Sequence, residues 1–312
     1  MRRLRRFSPW FSLLPLLGIA VQGAEAPGAP AATTAEVQPG GIEFHQVIAP
    51  DGVPLNVAVA GNPKGRALLM LHGAYQSYMS FIPQLRDATL AARYRLVAMD
   101  MRGHGGSGKP WKTEAYLGSK PWADDVQSVI TALALNKPLL VGWSFGGYVA
   151  MDYVREYGAK SVSGVVLIGS HGGLLPRPAA NGPLPTGDLE ALQVGARQFM
   201  AAMSAAPLPQ AAVDRGYAAY LMMPSYARIA MRGKRLDNTD LVGRLDLPLL
   251  VVLGGRDPSV PQILVRNLVS KIAGARLEVY AESGHSTFVE EAARFNAELD
   301  RFARSLSQVP AR

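Results

Sequence analysis

Ser144 stands in the pentapeptide Gly142-Trp143-Ser144-Phe145-Gly146, directly after the apolar run Pro138-Leu139-Leu140-Val141 and ahead of an apolar, helix-like stretch over 147–154. A serine on a tight strand-to-helix turn is lifted clear of the fold, with the new helix's N-terminus behind its hydroxyl. Glycines must flank it, because a side chain at either place would strike the neighbouring strand or helix. A serine hydroxyl is a poor nucleophile until a base takes its proton, and that base must be held in one tautomer. The chain offers five histidines: His45, His72, His104, His171 and His285. His285 lies in Glu282-Ser283-Gly284-His285-Ser286, a loop just past the last strand-like run, whereas His72 and His104 sit in glycine-rich turns after earlier strands. His285 is therefore the candidate base, against the plainer reading of a structural loop histidine. Asp257 follows the run Leu250-Val251-Val252-Leu253-Gly254-Gly255-Arg256 and precedes Pro258. It tips a buried strand at the edge of the sheet where ligands bind in open α/β folds, and is the candidate acid. Its competing role is to start a turn or cap the next helix.

The elements that must hold these three residues are legible as alternating patterns. The runs 42–47 and 53–59 alternate around Pro50-Asp51-Gly52 and predict an antiparallel hairpin. Ala67-Leu68-Leu69-Met70-Leu71 is continuously apolar, as in strands buried on both faces. A helix is expected near 79–92, a strand over 95–99, and a helix over 122–135 with Val126, Val129, Ile130 and Leu133 at helical spacing. Strands follow at 139–141, 162–168, 248–253 and 277–280, and a closing helix at 288–306. Between them the rhythm breaks: 172–186 is dense in Gly, Pro and Asn, and 187–235 reads as helical and rich in Ala and Met. The expected fold is α/β, a mostly parallel central sheet with helices on both faces. Its core spans 42–171 and 241–312, and a helical cap is inserted at 172–240.

The chain has 312 residues, ample for such a core, with 48% hydrophobic and 18% charged residues. The formal net charge of +8 suggests nucleic acid at first sight, but Arg2, Arg3, Arg5 and Arg6 crowd the first six residues and no dense basic stripe follows. No nucleic-acid partner is expected. A basic head, the short apolar run 7–21 and the exit Gly23-Ala24-Glu25-Ala26 match a secretory signal peptide over 1–26. A flexible leader rich in Ala, Pro, Gly and Thr then runs over 27–41. The apolar run is short of the ~20 residues that span a bilayer, so an exported protein without stable membrane insertion is expected, the alternative being an uncleaved N-terminal anchor. Without a single cysteine, disulfides and thiol nucleophiles are excluded. Metal-ligand clusters and phosphate-binding glycine loops are lacking too, and no cofactor is expected.

The order Ser144, Asp257, His285, each after a strand, resembles the α/β-hydrolase fold superfamily. Leu71-His72-Gly73-Ala74 resembles that family's His-Gly-x turn, and Asp100-Met101-Arg102-Gly103-His104-Gly105-Gly106-Ser107 its Asp-x-Arg-Gly-His-Gly-x-Ser loop. The resemblance implies that the backbone N–H groups of Phe145 and Ala74 receive the negative charge of a tetrahedral intermediate, and that His72, His104 and Arg102 brace loops. Serine at the turn argues against haloalkane dehalogenases and epoxide hydrolases, which use aspartate there. His72-Gly73-Ala74-Tyr75-Gln76 departs from the His-Gly-Gly-Pro-Gly of proline iminopeptidases. Gly-Trp-Ser-Phe-Gly-Gly most resembles the serine-nucleophile, carboxylesterase-like branch.

A serine esterase acting on a small carboxylic ester is therefore expected. Perhydrolysis, lactone opening and C–C bond hydrolysis on the same triad are alternatives, and a non-catalytic binding protein is the rival from another class. Tyr75, Trp143, Met200, Met222 and Phe288 are the candidate pocket residues. Flexible methionines suit an adaptable acyl pocket, although packing the cap onto the core is the plainer expectation for them.

Overall fold

The computed structural model describes residues 41–176 and 188–306. The expected signal peptide and all but the last residue of the leader lie outside the described residues, as does the stretch 177–187 of the expected cap.

Side chains that alternate between two buried faces build the sheet. Eight strands, β1 (Glu43–Ile48), β2 (Pro54–Gly61), β3 (Arg66–Leu71), β4 (Tyr94–Met99), β5 (Leu139–Trp143), β6 (Gly164–Ile168), β7 (Leu249–Gly254) and β8 (Arg276–Tyr280), lie in the order β1-β2-β4-β3-β5-β6-β7-β8. The first three in that order pair antiparallel and every later pair is parallel. Leu69, Leu71, Val97, Leu140, Val165 and Val251 enter one apolar cluster, while Leu68, Met70, Leu96, Val141, Val166 and Leu250 enter the other. Successive side chains of a strand point to opposite faces, so each continuous apolar run serves two cores at once. Helices α1 (Ala88–Arg93), α2 (Lys120–Ala132), α3 (Phe145–Tyr157), α7 (Gln262–Val269) and α8 (Ala292–Ser305) flank the sheet, and three more, α4 (Leu189–Ala202), α5 (Gln210–Met222) and α6 (Ser225–Arg232), are inserted in the chain between β6 and β7.

Several helix boundaries differ from the sequence expectation, each for a local reason. The helix expected near 79–92 is a 3-10 turn, a single helical turn and then α1. Asp87 takes an extended conformation and its carboxylate accepts from Leu90 N at 2.8 Å, which starts a new helix. The long helical stretch over 187–235 is three helices, α4 to α6, parted near Pro207, Pro209 and Pro224, because proline cannot continue a helix interior. The closing helix expected over 288–306 is a single helical turn, Thr287–Glu290, and then α8, since Glu291 between them turns out of helical geometry and accepts from Ser283 Oγ and Arg294 Nη1.

Helices α4 to α6 lie between β6 and β7, and a buried polar knot returns the chain from them to the core. Lys234 donates to Asp152 on α3 at 2.5 Å, and Asn238 Nδ2 donates to Asp152 and to the Gly172 carbonyl. Lys234 and Asp152 are both almost fully buried. Charges so removed from water persist only when paired and hydrogen-bonded. No described helix is long and apolar enough to cross a membrane.

Candidate active site

Ser144 links β5 to α3 with φ 51° and ψ −113°. A non-glycine residue costs on the order of 1–3 kcal/mol in such a conformation and holds it only where its surroundings over-determine it. Here Ser144 N donates to the Ile168 carbonyl at 2.8 Å, and its own carbonyl accepts from Ser170 Oγ at 2.8 Å. The turn is thus fastened to the end of β6. Gly146 permits a close approach to the end of β3: a Cβ there would collide with the Leu71 carbonyl oxygen and lie 2.7 Å from that of His72.

His285 arrives from the other side of the β6 end. Its carbonyl accepts from Trp143 Nε1 at 3.0 Å, so the residue before Ser144 grips the histidine loop directly. Its ring lies beside Gly169, where a Cβ would come within 3.0 Å of Nδ1. Asp257, at the tip of β7, accepts from His285 Nδ1 at 2.7 Å through Oδ2. Ser259 Oγ donates to the other carboxylate oxygen at 2.6 Å and stands 3.0 Å from His285 Nδ1, while Ser259 N donates to the same oxygen at 2.8 Å. Burial by itself would raise the Asp257 carboxyl, but the bonds from His285 and Ser259 overcome it and hold the group below its ordinary value. An ionised Asp257 fixes the proton on Nδ1 and leaves Nε2 as the basic nitrogen. Sequence reasoning missed Ser259; its signal was a hydroxyl two residues after an aspartate, the spacing of side-chain-capped turns.

The two residues expected to supply backbone donors stand at element ends. Phe145 opens α3, where the first N–H groups have no partner inside the helix, and Ala74 lies in the loop after β3. Among the described residues neither backbone N–H donates a hydrogen bond within the protein. Next to Ala74, Tyr75 adopts φ 62°.

The five candidate pocket residues separate. Trp143, Met200 and Phe288 line one narrow cavity together with Gln76, Met203 and Gly216. Its free space is about 30 Å³, room for a couple of waters. Trp143 and Phe288 also pack ring against ring within the core, tilted, with centroids 5.0 Å apart, so lining and packing are one role for them. Tyr75 packs instead among Phe199, Tyr220 and Arg228. Met222 does not line the cavity: it is 43% exposed at the end of α5, and its neighbour Met223 is the one turned inward. The end of α5 decides this, because Met223 has already left helical geometry for an extended one ahead of Pro224.

The loop after β4 braces the site from below. Asp100 accepts from Tyr78 N, Gly106 N and Asn56 Nδ2, and Arg102 forks onto Asp125 with two bonds of 2.7 Å. His72 Nε2 accepts from Met101 N at 3.0 Å, and its ring meets that of His104 edge-on at 5.0 Å. Burial depresses both imidazoles, His72 to about 4. Because the folded values lie below the unfolded value of 6.5, the unfolded chain binds more protons in between, and stability falls as pH drops through that window. For His72 the loss is on the order of 3 kcal/mol. Thermal melts at about pH 7.5 and about pH 4.5 should show a larger acid-induced drop in Tm for the wild type than for His72→Gln. Equal drops in both would contradict it.

Among the described residues no cluster of three or more His, Asp or Glu is arranged to hold a metal. The family model for the alpha/beta hydrolase family matches residues 68–298. A structure from Burkholderia cenocepacia described as an aryl esterase is 32% identical, with TM-score 0.78, covering 86% of this chain and all of that one. An esterase from Rhodococcus sp. ECU1013 is 30% identical, with TM-score 0.75, covering 84% and 99%. In sequence, the non-heme haloperoxidase of Rhodococcus erythropolis is 29% identical over 264 residues, 77% of this chain and 93% of the relative. The mostly parallel eight-stranded sheet and these matches together mean that the chain belongs to the alpha/beta hydrolase family and is an enzyme of that fold.

Proposed function

We propose that this hydrolase cleaves small-molecule carboxylic esters through an acyl-enzyme on Ser144. The observation that carries the reading is the Asp257–His285 contact of 2.7 Å, with the carbonyl of that histidine bonded by Trp143, the residue before a serine at φ 51° on the turn into α3. Ser144 Oγ attacks the ester carbonyl carbon while His285 Nε2 takes its proton. Negative charge on the former carbonyl oxygen is met by the N–H groups of Phe145 and Ala74. The C–O bond then breaks, His285 gives the proton to the leaving alcohol, and the acyl group stays on Ser144. Water repeats the sequence in place of the serine and releases the carboxylic acid. Asp257 remains a carboxylate throughout and stabilises the transient imidazolium.

The esterases among its relatives at 30% and 32% identity support an ester as the substrate class. The narrowness of the cavity between Trp143, Met200 and Phe288 favours a short acyl or alkoxy group. Treatment with a fluorophosphonate should place a single adduct on Ser144, found by peptide mapping and absent from Ser144→Ala. On p-nitrophenyl esters kcat/KM should fall as the acyl chain lengthens. Full ester turnover by Ser144→Ala would overturn the mechanism.

A further inference from the structure

The residue after the proposed donor Ala74 is held by the inserted helices rather than by the sheet. Tyr75 has φ 62°, a region where a bulky side chain is strained and persists only if its neighbours fix it. Each of the three helices between β6 and β7 supplies one neighbour. Phe199 of α4 meets the Tyr75 ring at 5.8 Å and Tyr220 of α5 at 5.4 Å, both edge-on. From α6, the Arg228 guanidinium lies over the Tyr75 ring at 4.8 Å and over the Tyr220 ring at 3.9 Å. Arg228 is 1% exposed, and no carboxylate pairs with it among the described residues. Its Nε donates to the Met223 carbonyl at 2.9 Å and its Nη2 to the Tyr220 carbonyl. A buried cation without a counter-charge is expensive, and here two carbonyls and two ring faces stand in for one. The next residue, Gln76, donates to the Gly216 carbonyl of α5 at 3.3 Å. The turn carrying Ala74 is therefore gripped at consecutive residues by the inserted helices.

We propose that Arg228 is a positioning residue: with Tyr220 and Phe199 it clasps Tyr75 and so aims the Ala74 N–H, making the oxyanion site complete only while the inserted helices are seated. The inference rests on the ester-hydrolysis reading above. In energetic terms the clasp offsets the strain at Tyr75, and without it the turn relaxes toward ordinary backbone angles, swinging the donor away. The substrate itself need not touch Arg228.

The test uses the full chain, beginning with fluorophosphonate labelling of the wild type; absence of an adduct would remove the ester reading and the inference with it. Given labelling, Arg228→Lys and Arg228→Met are compared by kcat, KM and affinity for a trifluoromethyl ketone, whose tetrahedral adduct occupies the oxyanion site. A loosened donor should lower kcat on the order of tenfold, short of the 10²–10³ for a donor lost outright. Ketone affinity should fall by a similar factor, with KM little changed. Lysine keeps charge and stem but not the planar stack, so it decides the matter even if the methionine variant fails to fold. Ile229→Ala, at the 42% exposed neighbouring position, should match the wild type. Variants that lose thermal stability or raise KM while keeping kcat and ketone affinity would overturn the proposal.

Discussion

Asp257→Asn is expected to lower kcat by about four orders of magnitude with little change in KM, the scale associated with placing the catalytic imidazole in the wrong tautomer. An asparagine fits the same space, so the protein should fold and melt close to the wild type. What changes is the proton. The ionised carboxylate accepts from Nδ1 at 2.7 Å, whereas an amide can present its NH₂ to that nitrogen and drive the proton to Nε2. His285 then has no lone pair facing Ser144. Ser259→Ala removes only the hydroxyl that shares Asp257 and Nδ1. It should slow the reaction by less than about tenfold, because the main acceptor survives. Stopped-flow or steady-state turnover of a p-nitrophenyl ester measures both, and an Asp257→Asn enzyme within tenfold of wild type would remove Asp257 from the mechanism.

Gly146→Ala should damage both stability and turnover severely. The added carbon meets the Leu71 and His72 carbonyls, which belong to a strand end and cannot swing aside like a side-chain tip. Helix α3 must back away from β3, and the two proposed oxyanion donors, Phe145 on the helix and Ala74 on the loop after β3, separate as it does. Overpacking of this kind costs about 1–3 kcal/mol or more, lowering Tm by several degrees in a domain of this size. Losing the alignment of one donor should take a further 10²–10³ from kcat. Differential scanning fluorimetry and kcat on the same preparation read both effects. Wild-type turnover in Gly146→Ala would mean that the donors are not set by the contact between α3 and β3.

The sheet was legible because its signal is local. A continuous apolar run such as Ala67-Leu68-Leu69-Met70-Leu71 has one economical use, a strand buried on both faces, and all eight strands coincide with runs visible in the chain. Helix ends were less legible, since they depend on caps. Asp87 and Glu291 break helices by side-chain bonds whose partners include residues several positions away. Met222 shows the same limit at the site. Composition marked the insert's methionines as apolar, but whether position 222 or 223 faces inward depends on where α5 ends, and Pro224 sets that end.

By itself, the amino-acid sequence determined the α/β architecture, the order of the strands along the chain, and the placing of Ser144, Asp257 and His285 each just past a strand. Those properties follow from hydrophobic period and from glycine at tight turns, which are encoded within a few residues. Only the tertiary structure decided which groups meet: Ser259 on the Asp257–His285 pair, Trp143 on the His285 carbonyl, and Arg228 over Tyr75. Their partners lie two, 142 and 153 positions apart in the numbering. Such contacts are made by side chains whose directions are set only once the strands have taken their neighbours and the helices have packed.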